Sequence, residues 1–190
     1  MTLDIIKCGH PVLREKGKRI ERVTADIRHF AADMIETMYA ANGVGLAAQQ
    51  VGRAVLLAVI DVRNSEQPSE LWLDGALQDI AARMPLVLLN PRITATQGGQ
   101  DGEEGCLSVP DVTAKIHRAA RVSIEAQDLD GKPLLIEATG LLARALQHEV
   151  DHLNGILFLD RMDSATRSSF AGTIKQLQKE TQARLKAALR

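Results

Sequence analysis

No apolar run in this sequence of 190 residues approaches the roughly 20 needed to span a bilayer, so no membrane partner is expected. The opening stretch, MTLDIIKCGHPVLREKGKRI, has neither the apolar segment nor the small-residue cleavage site of a secretory signal, which argues for a cytoplasmic protein. Cysteine is scarce. Cys8 and Cys106 are the two, and in a reducing compartment each is read alone rather than as half of a disulfide. Neither sign of charge is in excess, the net being −1, so nothing global points to nucleic acid and DNA is not an expected partner. Repeats, low-complexity tracts and linkers are also missing, which leaves no internal domain boundary. What remains, 45% hydrophobic and 25% charged, is an ordinary globular composition in a chain long enough to bury a core.

The pattern of apolar residues predicts an α+β fold. Thr24 opens TADIRHFAADMIETMYAANG, where Ile27, Phe30, Ala31, Met34 and Met38 recur at helical spacing and Gly43 can close the end. AVLLAVIDV (54–62) and PLVLLNPRI (85–93) read as buried strands. RVSIEAQDLDGKPLLIEA alternates, turns at Asp130-Gly131 and resumes, the pattern of an antiparallel hairpin. Between the first two strands, residues 63–83 read as an excursion around Trp72 with room for a short helix. Thr139 and Gly140 precede LLARALQHEVDHL, and Asn154-Gly155 follow it, so a capped and largely buried helix is expected there.

That helix carries the chemistry. His148 and His152 are four residues apart, which on a helix brings both imidazoles within reach of one cation. Glu149, next to the first histidine, can take a proton from water that the cation acidifies, so H-E-x-x-H implies hydrolysis. The plain alternative is a pair of satisfied core histidines. A catalytic site needs a third protein ligand, and LNGILFLD after His152 supplies no histidine, while Glu180 is the single downstream glutamate and sits in a solvated helix pattern. Upstream, DGEEGCLSVP presents Cys106, whose thiolate can serve as a ligand or whose thiol can pack as a small hydrophobe.

GVGLAAQQ (43–50), EGCLS (104–108) and QHEVDHLNG (147–155), in this order, resemble the three signature segments of the peptide deformylase family, and GHPVLR (9–14) extends the likeness through about Asp163. The resemblance implies antiparallel β-sheets packed around a central helix bearing H-E-x-x-H, with an N-terminal and a C-terminal helix. It implies one catalytic domain over residues 1–163, with 164–190 as a basic amphipathic helix of the same domain. It makes Cys106, His148 and His152 the metal ligands and Glu149 the general acid/base. Gln50 and the backbone N–H of Leu107 become donors to the substrate oxyanion, and Gly43, Val44, Gly45, Gly105, Leu141 and Arg144 contact the substrate. That substrate is a nascent peptide beginning with N-formylmethionine, and the implied metal is Fe²⁺, with Zn²⁺ or another divalent ion as the alternative.

Three positions depart from the family's pattern. Arg144 stands one turn before His148 where an apolar residue usually faces the methionine side chain, Gly102 where a larger apolar residue is common, and Thr113 where many members carry arginine. Two readings follow: an altered pocket, or an Arg144 turned outward to solvent. In the acidic run, Glu104 belongs to a matched motif and is expected to order a ligand histidine, a role also open to Asp151. From Ser164 onward six basic residues face Glu180 alone, which is read either as a solvated face or as a transient contact with the ribosome.

Overall fold

The computed structural model describes residues 1–188, so Leu189 and Arg190, the end of the expected basic helix, lie outside the described residues. The elements run α1 (Ala25–Ala40), β1 (Gly45–Ala47), β2 (Leu57–Ile60), β3 (Leu71–Leu73), β4 (Ala76–Gln78), α2 (Ile80–Arg83), β5 (Leu86–Gln97) and β6 (Gln100–Cys106). They continue with β7 (Val109–Arg118), β8 (Arg121–Gln127), β9 (Pro133–Thr139), α3 (Gly140–Leu153), α4 (Ser164–Ser169) and α5 (Ala171–Ala188). One antiparallel sheet has the order β1-β2-β5-β8-β9-β3-β4, and β6 pairs with β7 in a second. The fold is the expected α+β arrangement. Among the described residues no helix is long and apolar enough to cross a membrane.

Strand β2 shows why a short run can be apolar throughout. Its four residues, Leu57 to Ile60, are all fully buried. Leu57 and Val59 join the cluster of α1, with Phe30, Met34 and Met38. Ile60 joins the cluster in which Leu142, Leu146 and Val150 of α3 meet β8 and β9, and Ala58 meets Leu153. Because each face of the strand is covered, alternation disappears. Truncating one such leucine to alanine costs about 2–5 kcal/mol. A third cluster seals the β6–β7 hairpin against Cys8, Leu13 and Phe158, with Phe170, Ile174 and Leu177 of the C-terminal helices packed on it.

Several local expectations change. The first strand covers only Leu57–Ile60, and the second begins at Leu86 but continues to Gln97 because β8 pairs along its length. Gly43 does not provide the left-handed turn after α1; Asn42 does, at φ 53, a conformation its short polar side chain tolerates. Thr24 caps α1 as read, accepting the Ile27 N–H at 3.3 Å. Thr139 makes no side-chain cap for α3. The cap comes from the excursion, where Ser69 Oγ accepts the Leu142 N–H at 3.0 Å. That excursion is chiefly a hairpin rather than a helix, since β3 pairs with both β4 and β9 and only Ile80–Arg83 turns helically. It therefore extends the sheet and anchors the start of the helix that bears the histidines.

Candidate metal centre

Helix α3 and the end of β6 bring three donors together. Cys106 Sγ lies 3.2 Å from His152 Nε2, and that nitrogen lies 3.2 Å from His148 Nε2. All three atoms fall within 4.8 Å of one another. Strand register is shifted between Gly105 and Cys106, an irregularity that re-aims the cysteine side chain. One sulfur and two nitrogens at these separations fit a tetrahedral ion with bonds of about 2.0–2.3 Å. Glu104 Oε2 meets His148 Nδ1 at 3.1 Å and so leaves Nε2 turned towards the other donors. Burial disfavours charge on both rings and holds His152 well below the usual histidine range. At His148 the bonds to Cys106 and Glu104 overturn that effect and push the ring well up, so an arriving cation would displace a proton.

The surrounding cavity, of about 400 Å³, is lined by Cys106, His148, Glu149, Gln50 and Leu107 and by Gly43, Val44, Gly45, Gly105, Leu141 and Arg144. The metal donors and the residues expected at the substrate thus share one hollow, except His152, which lies behind it. A larger open hollow, about 780 Å³ beside Lys16, Asn90 and Asn154, touches none of these groups. Gln50 is fixed by its Oε1, which accepts the Ala47 N–H at 2.8 Å, and this turns its Nε2 towards Cys106 Sγ, 3.5 Å away. Glu149 is 4% exposed, and its Oε2 has no hydrogen-bond partner among the described residues. Burial is the largest influence on it and carries its pKa to about 7, with His148 opposing and Glu104 adding.

Gly45 has a nearer reason to be glycine than an approaching peptide. A Cβ there would collide with the Glu149 carboxyl group, lying 2.9 Å from its Cδ. At Gly43 a Cβ would sit 2.9 Å from Leu107 Cδ1. Both glycines make room for the protein's own site residues.

Arg144 corrects the outward-turned reading. It is 4% exposed and bent back onto the β6–β7 hairpin, where Nη2 donates to Gly102 O at 2.7 Å and Glu104 Oε1 at 2.8 Å. Asp151 orders no histidine. It accepts instead from Arg118 Nη1 at 2.5 Å and Arg161 Nη2 at 2.6 Å. Asp101 is exposed and pairs with His117 and Lys115. Arg118 is not among the residues singled out from the sequence, yet it donates twice to Glu104, at 3.0 Å each. A signal exists: Val112, Ala114, Ile116 and Arg118 alternate on the buried face of β7. Burial pushes the Glu104 carboxyl up, but hydrogen bonds from His148 and Arg118 outweigh it and hold the pKa at about 2.

Comparison with known proteins adds a third line. A family model described as polypeptide deformylase matches residues 2–168. The peptide deformylase of Opitutus terrae is 42% identical over 188 residues, covering 98% of both chains. That of Acinetobacter baumannii is 42% identical over 179 residues, covering 94% of this chain and 93% of its own. Among solved structures, the peptide deformylase of Thermus thermophilus superposes with a TM-score of 0.80 at 36% identity, over 95% of this chain and 99% of that one. A plant peptide deformylase gives 0.83 at 33% identity, over 96% and 92%.

Proposed function

The chain belongs to the peptide deformylase family, and we propose from the arrangement of its own residues how it performs that reaction. It is a metal-dependent hydrolase that removes the formyl group from the N-terminal formylmethionine of newly made proteins and releases formate. The observation that carries the assignment of roles is the meeting of the Cys106, His148 and His152 donors at the wall of a hollow that also holds a buried Glu149, whose Oε2 has no partner among the described residues. A divalent ion held by those three residues would polarise the formyl carbonyl and make a neighbouring water molecule a stronger acid.

Glu149 takes the proton from that water as it attacks the formyl carbon, and passes it to the amide nitrogen as the C–N bond breaks. A pKa about 7 suits a group that must accept and return a proton near neutrality. Gln50 Nε2 and the Leu107 N–H donate to the carbonyl oxygen as it gains negative charge, each contributing about 3 kcal/mol. Gly43, Val44, Gly45 and Gly105 offer extended backbone to the peptide, and Leu141 and Arg144 bound the space for its first side chain. Formate release from a formylated tripeptide tests this, with Glu149→Ala as the control. Unchanged release by the variant would refute the mechanism.

We assign Fe²⁺ as the native ion and Zn²⁺ as its common replacement. Metal analysis of anaerobically purified protein decides this, and stoichiometric zinc with full activity would overturn it. We place the reaction in the cytoplasm, in a catalytic domain of residues 1–163 to which α4 and α5, two helices where one was expected, are appended. Lys175, Lys179 and Lys186 on the exposed side of α5 are proposed to touch the ribosome transiently. Ribosome co-sedimentation unaffected by reversing these three charges would remove that contact.

A further inference from the structure

The two groups assigned to the oxyanion come from different sheets. Gln50 lies in the short turn that follows β1 of the seven-stranded sheet, and Leu107 in the turn that joins β6 to β7. Three consecutive residues near the N-terminus tie those turns together. The Ile6 N–H donates to Gln50 O, the Lys7 ammonium to Leu107 O and the Cys8 N–H to Ser108 O, each at 2.8 Å. This strap is itself pinned. Cys8 is buried in the cluster that holds Val109 and Val112, and Gly9 comes so close to α5 that a Cβ there would lie 2.7 Å from Gln178 Cα. Beside Lys7 a hollow of about 140 Å³ is walled by Pro110 and by Leu177, Thr181 and Arg184 of α5. Lys7 is thus a half-buried residue set against a fixed wall.

Leu107 is held at three points. Its side chain packs beside Gly43 on the α1 cluster, its carbonyl takes a charge-assisted bond from Lys7, and the next carbonyl is taken by Cys8. With two successive carbonyls fixed, the peptide planes of the turn have little freedom to rotate about the Leu107 Cα, and the Leu107 N–H keeps its direction. A donor preset in this way needs no reorganisation when the carbonyl oxygen gains charge. We infer that Lys7 is a positioning residue: by holding the Leu107 carbonyl it aims the Leu107 N–H at the oxyanion, while Ile6 on the same strap keeps Gln50 in step. The inference rests on the deformylase reading, in which those two groups are the oxyanion donors. Lys7 does not line the cavity, so its influence runs through the backbone.

The test compares Lys7→Met, which keeps the stem and loses the donors, with Lys7→Arg, whose guanidinium can still donate to the carbonyl. Lys7→Met should lower kcat for formate release from a formylated tripeptide about 10- to 100-fold, the scale of a donor displaced rather than removed. KM should change less than about threefold, because the bond is made to charge that develops only in the transition state. Metal content and melting temperature should stay close to those of the unsubstituted protein, and Lys7→Arg should recover kcat to within about threefold. In the zinc-loaded protein, amide relaxation dispersion should reveal microsecond-to-millisecond exchange at Leu107 and Ser108 in Lys7→Met and none in Lys7→Arg. Unchanged kcat in Lys7→Met, a loss matched by KM or by metal content, an equal loss in Lys7→Arg, or silent Leu107 and Ser108 amides would overturn the inference. A Lys7→Met protein that does not fold would make Lys7 structural and overturn it as well. If even the unsubstituted protein releases no formate, the reaction reading falls instead, and the amide exchange still judges the Lys7 contact.

Discussion

Behind His148 and in front of it lie two buried regions of opposite character. Behind it, Glu104 is gripped by Arg118, Arg144 and His148, and Asp151 by Arg118 and Arg161. In front of it, Glu149 is also buried, but its Oε2 is left without a partner among the described residues. Burial is the largest single influence on both glutamates and acts on both in the same direction. Their pKa values nonetheless separate, to about 2 for Glu104 and about 7 for Glu149. Burial raises both carboxyls; at Glu149 it prevails and leaves a proton carrier, whereas at Glu104 the partners outweigh it and leave a fixture.

The sharpest way to break this contrast is to remove each carboxylate in turn. Glu149→Gln should lower kcat/KM by about 10²–10⁴-fold, measured as formate release. Its melting temperature should not fall, since Oε2 has no hydrogen bond to lose; a clearly less stable variant would mean that Glu149 is structural. Glu104→Gln should do the reverse, costing about 3–5 kcal/mol by leaving two buried guanidinium groups short of charge. Weaker metal affinity, by roughly 10–100-fold, should accompany it as His148 loses its orienting acceptor. The pH dependence has a definite sign. A carboxyl depressed from 4.5 to about 2 contributes its full stabilisation above pH 4.5 and loses it as pH falls towards 2, so Glu104→Gln should flatten that acid limb in pH-dependent denaturation.

Much of the front region is legible in the sequence, and little of the back. Helix α3, its two histidines and its Asn154-Gly155 end follow from local periodicity and capping, and the β8–β9 hairpin from alternation about Asp130-Gly131. What escapes depends on residues that are remote along the chain and adjacent in space. Ser69 caps α3 from just ahead of the neighbouring strand β3, Gly45 yields to Glu149, and Gly102 yields to Arg144. No spacing rule encodes such pairs. Arg144 is visible as a charge on a metal-facing turn, but its acceptors belong to a hairpin whose position the pattern of α3 cannot reveal. Arg118 is within reach, because a basic residue in phase with Val112, Ala114 and Ile116 has to find buried acids.

The smallest expected effect measures how far the back region acts as one body. Arg161 is the outermost member of the chain Arg144–Glu104–Arg118–Asp151–Arg161, with its side chain 45% exposed against 4% for Arg118. Asp151 bonds to both, so Arg161→Gln leaves the aspartate with its buried partner and removes only the solvated one. Exposed pairs contribute about 0–1 kcal/mol and are weakened by salt. Chemical denaturation should therefore show a loss of that size that shrinks further at high ionic strength, with metal content and formate release unchanged. A loss as large as that of Glu104→Gln would mean that the network is cooperative from the surface to His148. The separation of the two regions would then be the work of five residues acting together rather than of the three that grip Glu104.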